Sequence, residues 1–273
     1  MADLSVFRKI TSRISSVLGF LSGNAPGSHF MSAVVLAGGS GTRLGGVSKQ
    51  LLELCGKKVV CYSLDAFENS EYTSEIILVV REDETDIMKD IVSSGGYRKV
   101  SKIVPGGDTR AKSAENGFFA ADKRSEYVAV HDACRPLITP ETVDKLWKKV
   151  LLCDACTAAE KVTDTIKTAG KMGVIESTVP RDNLYAVSTP QLFTKNIYRA
   201  SVATAHRDGF ESTDDCALAE NAGFGVTLVD IGEPNYKITY PRDLETVEAI
   251  LKKRLEDKAS NGTGDAGEET KTS

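Results

Sequence analysis

The chain has 273 residues, of which 41% are hydrophobic and 26% are charged, and its formal net charge is −4 at pH 7. This length permits one α/β domain with a substantial core, and the acidic balance gives no basic footprint for binding nucleic acid. The sequence contains no apolar run near the roughly 20 residues that cross a bilayer, so we expect neither a membrane nor a nucleic-acid partner.

Residues 1–30 differ from the rest of the chain and form a predicted N-terminal extension. Apolar residues recur at helical spacing from Phe7 to Leu21, with basic residues between them. This pattern fits a basic amphipathic helix on a membrane surface, a plastid-type targeting segment, or an extra helix packed on the body. Met31 directly precedes the first core strand and is an alternative start of the protein.

The most informative segment follows, as Ser-Ala-Val-Val-Leu-Ala-Gly-Gly-Ser-Gly-Thr-Arg-Leu-Gly-Gly-Val-Ser-Lys-Gln over residues 32–50. Its apolar run predicts a buried parallel strand, and the glycines let a turn of backbone N–H groups approach phosphates closely. Arg43 and Lys49 supply cations. No Gly-Lys-Ser/Thr closes a P-loop, and Leu44 replaces the third glycine of a dinucleotide fingerprint. The segment therefore predicts a nucleoside triphosphate site at a strand end.

Strands alternate with helical patterns from Met31 onward. Strands are predicted over 33–37, 76–81, 100–104, 127–131, 155–162, 165–168, 173–175 and 226–231, and helices near 49–54, 60–68, 84–95, 109–122, 140–152, 194–207, 213–223 and 241–256. The alternation predicts an α/β fold with a doubly wound, mostly parallel, Rossmann-like nucleotide-binding sheet. We expect this domain over 31–254, a protruding β-arm over about 160–182, and a disordered tail over 255–273.

Two polar motifs follow predicted strands. Gly-Gly-Asp-Thr-Arg over 106–110 suits a ribose or base, with Asp108 accepting from hydroxyl groups and Ser113 contacting a polar edge; a plain helix N-cap is the alternative. His-Asp-Ala-Cys-Arg-Pro over 131–136 ends a strand on an acid, where a Mg²⁺ ligand would meet phosphates, and its arginine can hold an anion. An internal Asp–Arg pair is the alternative there, and His131 alone is more typical of a structural residue.

The six cysteines are scattered, and only Cys153 and Cys156 form a CxxC pair. A lone CxxC with no second pair and no nearby histidine is a weak zinc or redox signal, so reduced, buried thiols are the simpler interpretation. We therefore predict a reducing compartment and a cytoplasmic protein.

Taken together, the motifs resemble the 2-C-methyl-D-erythritol 4-phosphate cytidylyltransferases of the non-mevalonate isoprenoid pathway, from about Ser32 to Lys252. The match includes the glycine loop, both polar motifs, Val-Thr-Asp-Thr-Ile-Lys over 162–167, Thr-Pro-Gln over 189–191, and Tyr-Lys-Ile-Thr-Tyr-Pro-Arg-Asp-Leu over 236–244. The resemblance implies that the enzyme transfers CMP from CTP to the polyol phosphate, releases pyrophosphate and uses Mg²⁺ or another divalent cation.

The resemblance also implies roles for individual residues. Arg43 and Lys49 would stabilise the transition state. The nucleotide would be held by Ala37, Gly38, Gly39, Gly107, Asp108 and Ser113. The polyol phosphate would be held by Asp132, Arg135, Thr165, Arg181, Thr189, Thr213 and Lys237, with Asp132 also the metal ligand. In the family the β-arm crosses a homodimer, which implies that Thr165 and Arg181 act in the partner's site.

Three departures from the family pattern keep alternatives open. Ser48 replaces a usual proline, the loop from Arg43 to Lys49 is short, and Val-Pro-Arg over 179–181 replaces a common Val/Leu-Asp-Arg. Val-Pro-Arg also occurs in ribitol-5-phosphate cytidylyltransferases, which makes ribitol 5-phosphate the alternative substrate. The altered loop leaves a non-catalytic, nucleotide-binding regulatory protein as the alternative of another class. The run Thr-Asp-Asp-Cys-Ala-Leu-Ala-Glu over 213–220 favours methylerythritol phosphate.

Overall fold

The computed structural model of the chain describes residues 29–39 and 48–262. The predicted extension up to residue 28, the loop that carries Arg43, and residues 263–273 of the predicted tail lie outside this range. The described part confirms the predicted fold class, because helices pack on both faces of a mostly parallel, Rossmann-like sheet and a separate two-stranded arm extends from it.

The secondary structure follows the predicted alternation of strands and helices. The strands are β1 (Met31–Ala37), β2 (Glu53–Leu54), β3 (Lys57–Lys58), β4 (Thr73–Val80), β5 (Val100–Pro105), β6 (Tyr127–Asp132), β7 (Ala155–Lys161), β8 (Ile166–Ala169), β9 (Ile175–Val179), β10 (Tyr185–Thr194) and β11 (Thr227–Asp230). The helices are α1 (Val59–Asn69), α2 (Thr85–Gly95), α3 (Arg110–Ala120), α4 (Pro140–Cys153), α5 (Lys195–Asp208), α6 (Asp215–Asn221) and α7 (Pro241–Gly262). None of these described helices is both long and apolar enough to cross a membrane.

Seven of the described strands form one sheet in the order β11-β7-β10-β6-β1-β4-β5. The chain moves outward from β1 through β4 to β5 and then returns to place β6 on the other side of β1. These pairs are parallel, whereas β10 runs antiparallel to β6 and β7. The reversal of strand order lies between β1 and β6, and ligands of open α/β sheets bind at such a switch point.

The core occupies both faces of the sheet because successive side chains of a strand point to opposite faces. Val35 of β1 packs in one cluster with Phe67 and Trp147, while its neighbour Val34 packs in the other cluster with Phe118. Each face is covered by helices, so the central strands are apolar almost throughout, as the run in β1 predicts.

A close approach of α3 to the sheet depends on Gly117. A Cβ at this position would lie 2.3 Å from Cγ1 of Val34 and 2.8 Å from Cγ2 of Val79. Any side chain would therefore push α3 away from β1 and β4, and with it the turn over 106–110 that leads into the helix.

One local prediction is wrong directly after the glycine loop. The helix predicted over 49–54 is a 3-10 turn at Lys49–Leu51 followed by the β2–β3 hairpin. Its two-residue turn holds Cys55 and Gly56 at φ of 49° and 75°, the backbone that tight hairpins require. The glycine after Cys55 was the sequence signal for this turn.

Strand β10 was not predicted at all. It is the antiparallel insertion between β6 and β7, and polar residues such as Thr189 and Gln191 interrupt its apolar pattern. Both side chains are buried, at 3% and 1% exposure, and both are hydrogen-bonded to distant parts of the chain. A polar strand of this kind carries no periodic signal, because its partners are not neighbours in sequence.

Helix α7 continues to Gly262, so residues 255–262 are helical where a disordered tail was predicted. Val247 and Leu251 anchor the helix in a third apolar cluster, and Lys252 pairs with Glu248 at 3.0 Å one turn away. Good helix-forming residues such as Leu255, Glu256 and Lys258 continue the helix beyond this anchor.

Candidate active site

The candidate site lies where the sheet reverses its strand order, at the carboxyl ends of β1, β5 and β6. Leu36 near the end of β1 is in register with Asp132, the last residue of β6. The backbone N–H of Ala133 donates to the Leu36 carbonyl at 2.9 Å, which holds the two strand ends together. The glycine segment and the His-Asp-Ala-Cys-Arg-Pro motif therefore meet at one point of the sheet.

A cavity of about 500 Å³ opens at these strand ends, and we call it cavity I. Its volume is in the range of small-molecule sites. The predicted site residues on its wall are Gly38, Gly39, Lys49, Gly107, Asp108, Ser113, Asp132 and Lys237. The structure thus brings together most of the predicted nucleotide contacts and one of the two predicted catalytic cations; Arg43 lies outside the described residues.

The two described glycines of the loop face cavity I. A Cβ on Gly38 would make only ordinary contacts with the backbone of Val80, and a Cβ on Gly39 would meet no described atom within 4 Å. The described residues therefore give no packing reason for a glycine at either position. Ala37, in contrast, is 1% exposed and does not line the cavity.

Gln50 fixes the end of the glycine segment. Its amide Nε2 donates to the carbonyl of Ala37 and, at 3.1 Å, to Oε2 of Glu84. Gln50 is 3% exposed, so these bonds hold the 3-10 turn that carries Lys49 against the end of β1. Lys49, on this turn, lines the cavity.

The second wall of cavity I is the turn between β5 and α3. Thr109 caps α3 by accepting from the N–H of Lys112 at 3.0 Å, as the N-cap alternative predicts. Ser113 Oγ accepts from the N–H of Gly107 at 3.0 Å and donates to the carbonyl of Thr109 at 2.9 Å. Ser113 therefore holds the turn, while Asp108 is exposed beside the cavity.

Asp132 lies at the centre of a cluster of cations. Its Oδ1 accepts from Nε of Arg110 at 2.9 Å, and its Oδ2 accepts from Nζ of Lys237 at 2.7 Å. Nε of Arg135 lies 4.0 Å from Oδ2, beyond hydrogen-bond range. Burial would raise the pKa of Asp132, but the cations outweigh burial and hold the pKa well below its usual range. The carboxylate is therefore ionised at any physiological pH.

Arg110 is a site residue that was not predicted from the sequence. Its Nη1 donates to Oδ2 of Asp215 at 2.8 Å, and Tyr198 donates to the other oxygen of that carboxylate at 2.8 Å. Burial would lower the pKa of Arg110, but Asp215 and Asp132 raise it above its usual value. A cation in the first turn of a helix opposes the helix dipole, and this was the signal that Arg110 needs acidic partners.

A second cavity, of about 240 Å³, adjoins the first, and we call it cavity II. The predicted polyol-phosphate residues on its wall are Asp132, Arg135, Thr189, Thr213 and Lys237. Arg110, Asp132 and Lys237 line both cavities. The cation cluster is thus the common wall of the two cavities.

Asn235 connects the parts of cavity II and was also missed as an individual site residue. Its backbone carbonyl accepts from Nη1 of Arg135 at 2.7 Å, and its Nδ2 donates to the carbonyl of Thr189 at 2.7 Å. Asn235 is 8% exposed. It ties the segment that carries Lys237 to strand β10.

His131 is fully buried behind Asp132. Burial lowers the pKa of His131 to about 3, so the imidazole is neutral at pH 7. Its ring nitrogens lie 3.1 Å from Oγ1 of Thr189 and 3.2 Å from Oγ of Ser63. The ring does not reach either cavity, in keeping with the structural role that its sequence context predicts.

Thr165 and Arg181 lie on the β-arm, and neither lines cavity I or cavity II. Both are exposed, and Arg181 donates to the carbonyl of Thr163 within the arm. The arm tip carries large exposed apolar side chains, with Met172 at 91% and Val174 at 64% exposure. The structure therefore does not bring these two predicted residues to the site of their own chain.

The donor groups of the site do not fit a metal ion held by the protein alone. Both oxygens of Asp132 are already in ion pairs with cations. Among the described residues there is no group of three or more His, Cys, Asp and Glu side chains that could hold a metal. Asp132 is thus a poor direct metal ligand in this arrangement, and we assign no step of a reaction to a metal.

Comparisons with known proteins identify what the chain is similar to. The family model described as 2-C-methyl-D-erythritol 4-phosphate cytidylyltransferase matches residues 31–253. A protein of that name from Caldanaerobacter subterraneus subsp. tengcongensis is 40% identical over 225 residues, covering 82% of this chain and 99% of that protein. The crystal structure of 4-diphosphocytidyl-2C-methyl-D-erythritol synthase from Anaerococcus prevotii matches with a TM-score of 0.73 and 33% identity, over 82% of this chain and 99% of that one. That of the Thermus thermophilus cytidylyltransferase matches with a TM-score of 0.66 and 26% identity, over 81% and 98%.

Proposed function

The chain belongs to the 2-C-methyl-D-erythritol 4-phosphate cytidylyltransferase family, and we propose from this membership how its residues divide the reaction. The protein is a nucleotidyltransferase that transfers CMP from CTP to 2-C-methyl-D-erythritol 4-phosphate, giving 4-diphosphocytidyl-2-C-methyl-D-erythritol and pyrophosphate in isoprenoid biosynthesis. Family membership does not favour ribitol 5-phosphate as the substrate or a regulatory protein without turnover.

We assign CTP to cavity I and the polyol phosphate to cavity II. The observation that carries this assignment is the wall of Arg110, Asp132 and Lys237 that both cavities share. A reaction that joins two phosphates needs the two ligands to meet at one point, and their charges need cations there. Among the described residues, Gly38 and Gly39 have no packing reason to be glycine, which supports a close approach of phosphates to that backbone.

The proposed chemistry is in-line attack by a phosphate oxygen of the polyol phosphate on the α-phosphorus of CTP, with pyrophosphate as the leaving group. The nucleophile is already an anion, so no general base is needed. Catalysis then comes from positioning the two substrates and from stabilising charge on the α-phosphoryl oxygens. We assign this stabilisation to Arg43 and Lys49.

The remaining predicted residues receive binding roles. We propose that Gly38, Gly39, Gly107 and Asp108 contact the nucleotide, and that Ser113 acts by holding the turn over 106–110. In cavity II, Arg135, Thr213 and Lys237 surround the polyol phosphate. Asp132, because it accepts from two cations, keeps Arg110 and Lys237 in place and is a candidate acceptor for polyol hydroxyls.

Thr165 and Arg181 are proposed to act in the site of a partner subunit. Their exposure and the apolar side chains at the arm tip support a homodimer in which each arm reaches the other subunit. Ala37 is assigned no side-chain contact, because it is buried. A requirement for Mg²⁺ and a cytoplasmic location stay predictions, and a divalent ion would have to be carried largely by the phosphates of CTP.

The test is pyrophosphate release from CTP with methylerythritol 4-phosphate and ribitol 5-phosphate in parallel, with and without Mg²⁺. We expect release with the first polyol phosphate, dependence on the divalent ion, and little release with the second. A preference for ribitol 5-phosphate would contradict the substrate, and CTP binding without pyrophosphate release from either would contradict turnover.

A further inference from the structure

A continuous chain of hydrogen bonds runs behind cavity II. The backbone N–H of Asp132 donates to Oγ1 of Thr189 at 3.0 Å, and this hydroxyl lies 3.1 Å from Nδ1 of His131. On the other side of the ring, Nε2 lies 3.2 Å from Oγ of Ser63, which donates to the carbonyl of Ala133 at 3.3 Å. His131 and Asp132 belong to β6, and Ala133 directly follows it. Thr189 belongs to β10 and Ser63 to α1, so this series of hydrogen bonds links three elements.

The number of available protons fixes the direction of every bond in this chain. A carbonyl only accepts, so the single hydroxyl proton of Ser63 is given to Ala133. Nε2 of His131 must then be the donor to Ser63. Neither ring nitrogen is hydrogen-bonded to a carboxylate among the described residues, and a buried imidazolium without a counter-charge is costly, so the ring is neutral. Its Nδ1 therefore accepts, and the donor is the hydroxyl of Thr189.

We propose that His131 is a positioning residue that, as the Nε2–H tautomer, takes up the hydroxyl proton of Thr189 and fixes this threonine as an acceptor. The tautomer is assigned from the network of hydrogen bonds. Phe67 restrains the ring plane, with an edge-on contact of 5.5 Å between ring centroids. The carbonyl of Thr189 is held by Asn235 at 2.7 Å, so both polar ends of this residue are fixed.

This assignment changes the part that Thr189 plays in cavity II. Its proton is committed to His131 and one lone pair to the amide of Asp132, which leaves one lone pair. Thr189 therefore has no hydrogen to donate to a phosphate, and it can meet a ligand only by accepting from a hydroxyl group. Its main effect is to align the end of β6, and with it Asp132, against β10; this role rests on the proposed function.

The tautomer is tested by nitrogen-15 NMR of the full chain with His29 and His206 replaced by glutamine, since the sequence has three histidines. We expect His131 at neutral pH with a protonated Nε2 and an unprotonated Nδ1. A protonated Nδ1 would overturn the inference. The measurement needs no substrate, so its outcome is independent of whether the proposed transfer reaction occurs.

Ser63→Ala sharpens the same measurement. Without the hydroxyl of Ser63, Nε2 has no acceptor, so the proton is expected to move to Nδ1 and donate to Thr189 instead. Ser94→Ala, at an exposed serine of α2, is the matched control and should leave the His131 spectrum unchanged. An unchanged tautomer in Ser63→Ala would show that Ser63 does not set the direction of the chain.

Kinetics of two Thr189 variants test the consequence for the reaction. Thr189→Val keeps the shape but removes the hydroxyl, and we expect about a tenfold loss of kcat/KM for the polyol phosphate with the KM for CTP nearly unchanged. Thr189→Ser keeps the hydroxyl and should restore most of the loss. Equal losses in the two variants, or a full retention of kcat/KM in Thr189→Val, would overturn the positioning role.

Discussion

The cation cluster around Asp132 and the β-arm differ in how their polar residues are placed: those of the cluster are held by one another, and those of the arm are exposed. In the cluster, Arg110 and Lys237 are held at hydrogen-bond distance by a carboxylate that is 6% exposed. On the arm, Thr165 and Arg181 are exposed and contact nothing of the cavities. One subunit alone therefore builds the point where the two cavities meet, whereas the proposed role of the arm residues requires a second subunit.

The two regions also differ in what fixes their geometry. The cluster is fixed by elements far apart in sequence. Arg110 and Asp215 are separated by 105 positions, and Nη1 of Arg110 still lies 2.8 Å from Oδ2 of Asp215. The arm is fixed by local pairing, with β8 and β9 joined through a short turn. Changes in the cluster should therefore affect chemistry directly, and changes in the arm should affect how two subunits share a site.

The largest expected effect on activity comes from a change in the wall of cavity I. Lys49→Ala should lower kcat on the order of 10²–10³, the cost that is typical of removing one group that stabilises transition-state charge. The fold should be retained, because the hydrogen bonds that hold the 3-10 turn are made by Gln50 and not by Lys49. Steady-state kinetics with a thermal melt measure both. Lys89→Ala, an exposed lysine on α2, is the control, and near-normal kcat in Lys49→Ala would remove Lys49 from the mechanism.

Arg181→Ala tests the arm. We expect the KM for the polyol phosphate to rise about tenfold with a much smaller change for CTP, because a charged hydrogen bond to the phosphate is lost. Lys171→Ala, on the turn of the same arm, is the control. A similar rise for both substrates would argue against a contact with the polyol phosphate.

A mixture of the two defective chains then separates own-site from partner-site action. In a mixed dimer, the Arg181→Ala subunit keeps Lys49 and receives an intact arm from the Lys49→Ala subunit. Random pairing of equal amounts should therefore restore about a quarter of normal activity per site. No recovery after co-expression would mean that each arm serves its own subunit.

The same contrast explains how much could be read from the sequence. The buried strand β1 and the glycines after it are local features, so the fold class and the wall of cavity I follow from them. Arg110 and Gln191 were not predicted as individual site residues because their partners lie elsewhere in the chain. Gln191 accepts from the backbone N–H of Asp215 and donates to the side chain of Asp214. Sequence patterns describe periodic burial, and these buried polar bonds have no period.

Low pH should lower the free energy of unfolding of the central domain because of His131. Its folded pKa of about 3 lies below the ordinary value of about 6.5, so the unfolded chain takes up the proton first as pH falls. The stabilisation is fully present above about pH 6.5 and is lost between there and pH 3, by up to about 1.4 kcal/mol per pH unit. The depressed pKa of Asp132 adds a further loss only below about pH 4.

Urea unfolding between pH 7.5 and 4.5 measures this slope. His131→Gln should flatten it, whereas Ser94→Ala, at an exposed position of α2, should leave it unchanged. The arm residues 160–182 contain no histidine, so they add nothing of this kind. An equal slope in the wild type and His131→Gln would place the acid sensitivity elsewhere.

The smallest effect on folding is expected at the arm tip. Met172 is 91% exposed, so Met172→Ser should change the free energy of unfolding of a single subunit by no more than about 0.5 kcal/mol. If the arm packs on a second subunit, the same substitution replaces an apolar contact with a polar side chain and should weaken dimerisation several-fold. Sedimentation at several concentrations measures it. Phe119→Ser, at a 62% exposed position on α3, is the matched control on the body. A shift in the control and none in Met172→Ser would mean that subunits associate through the body, and the arm would lose its proposed reach into the partner's site.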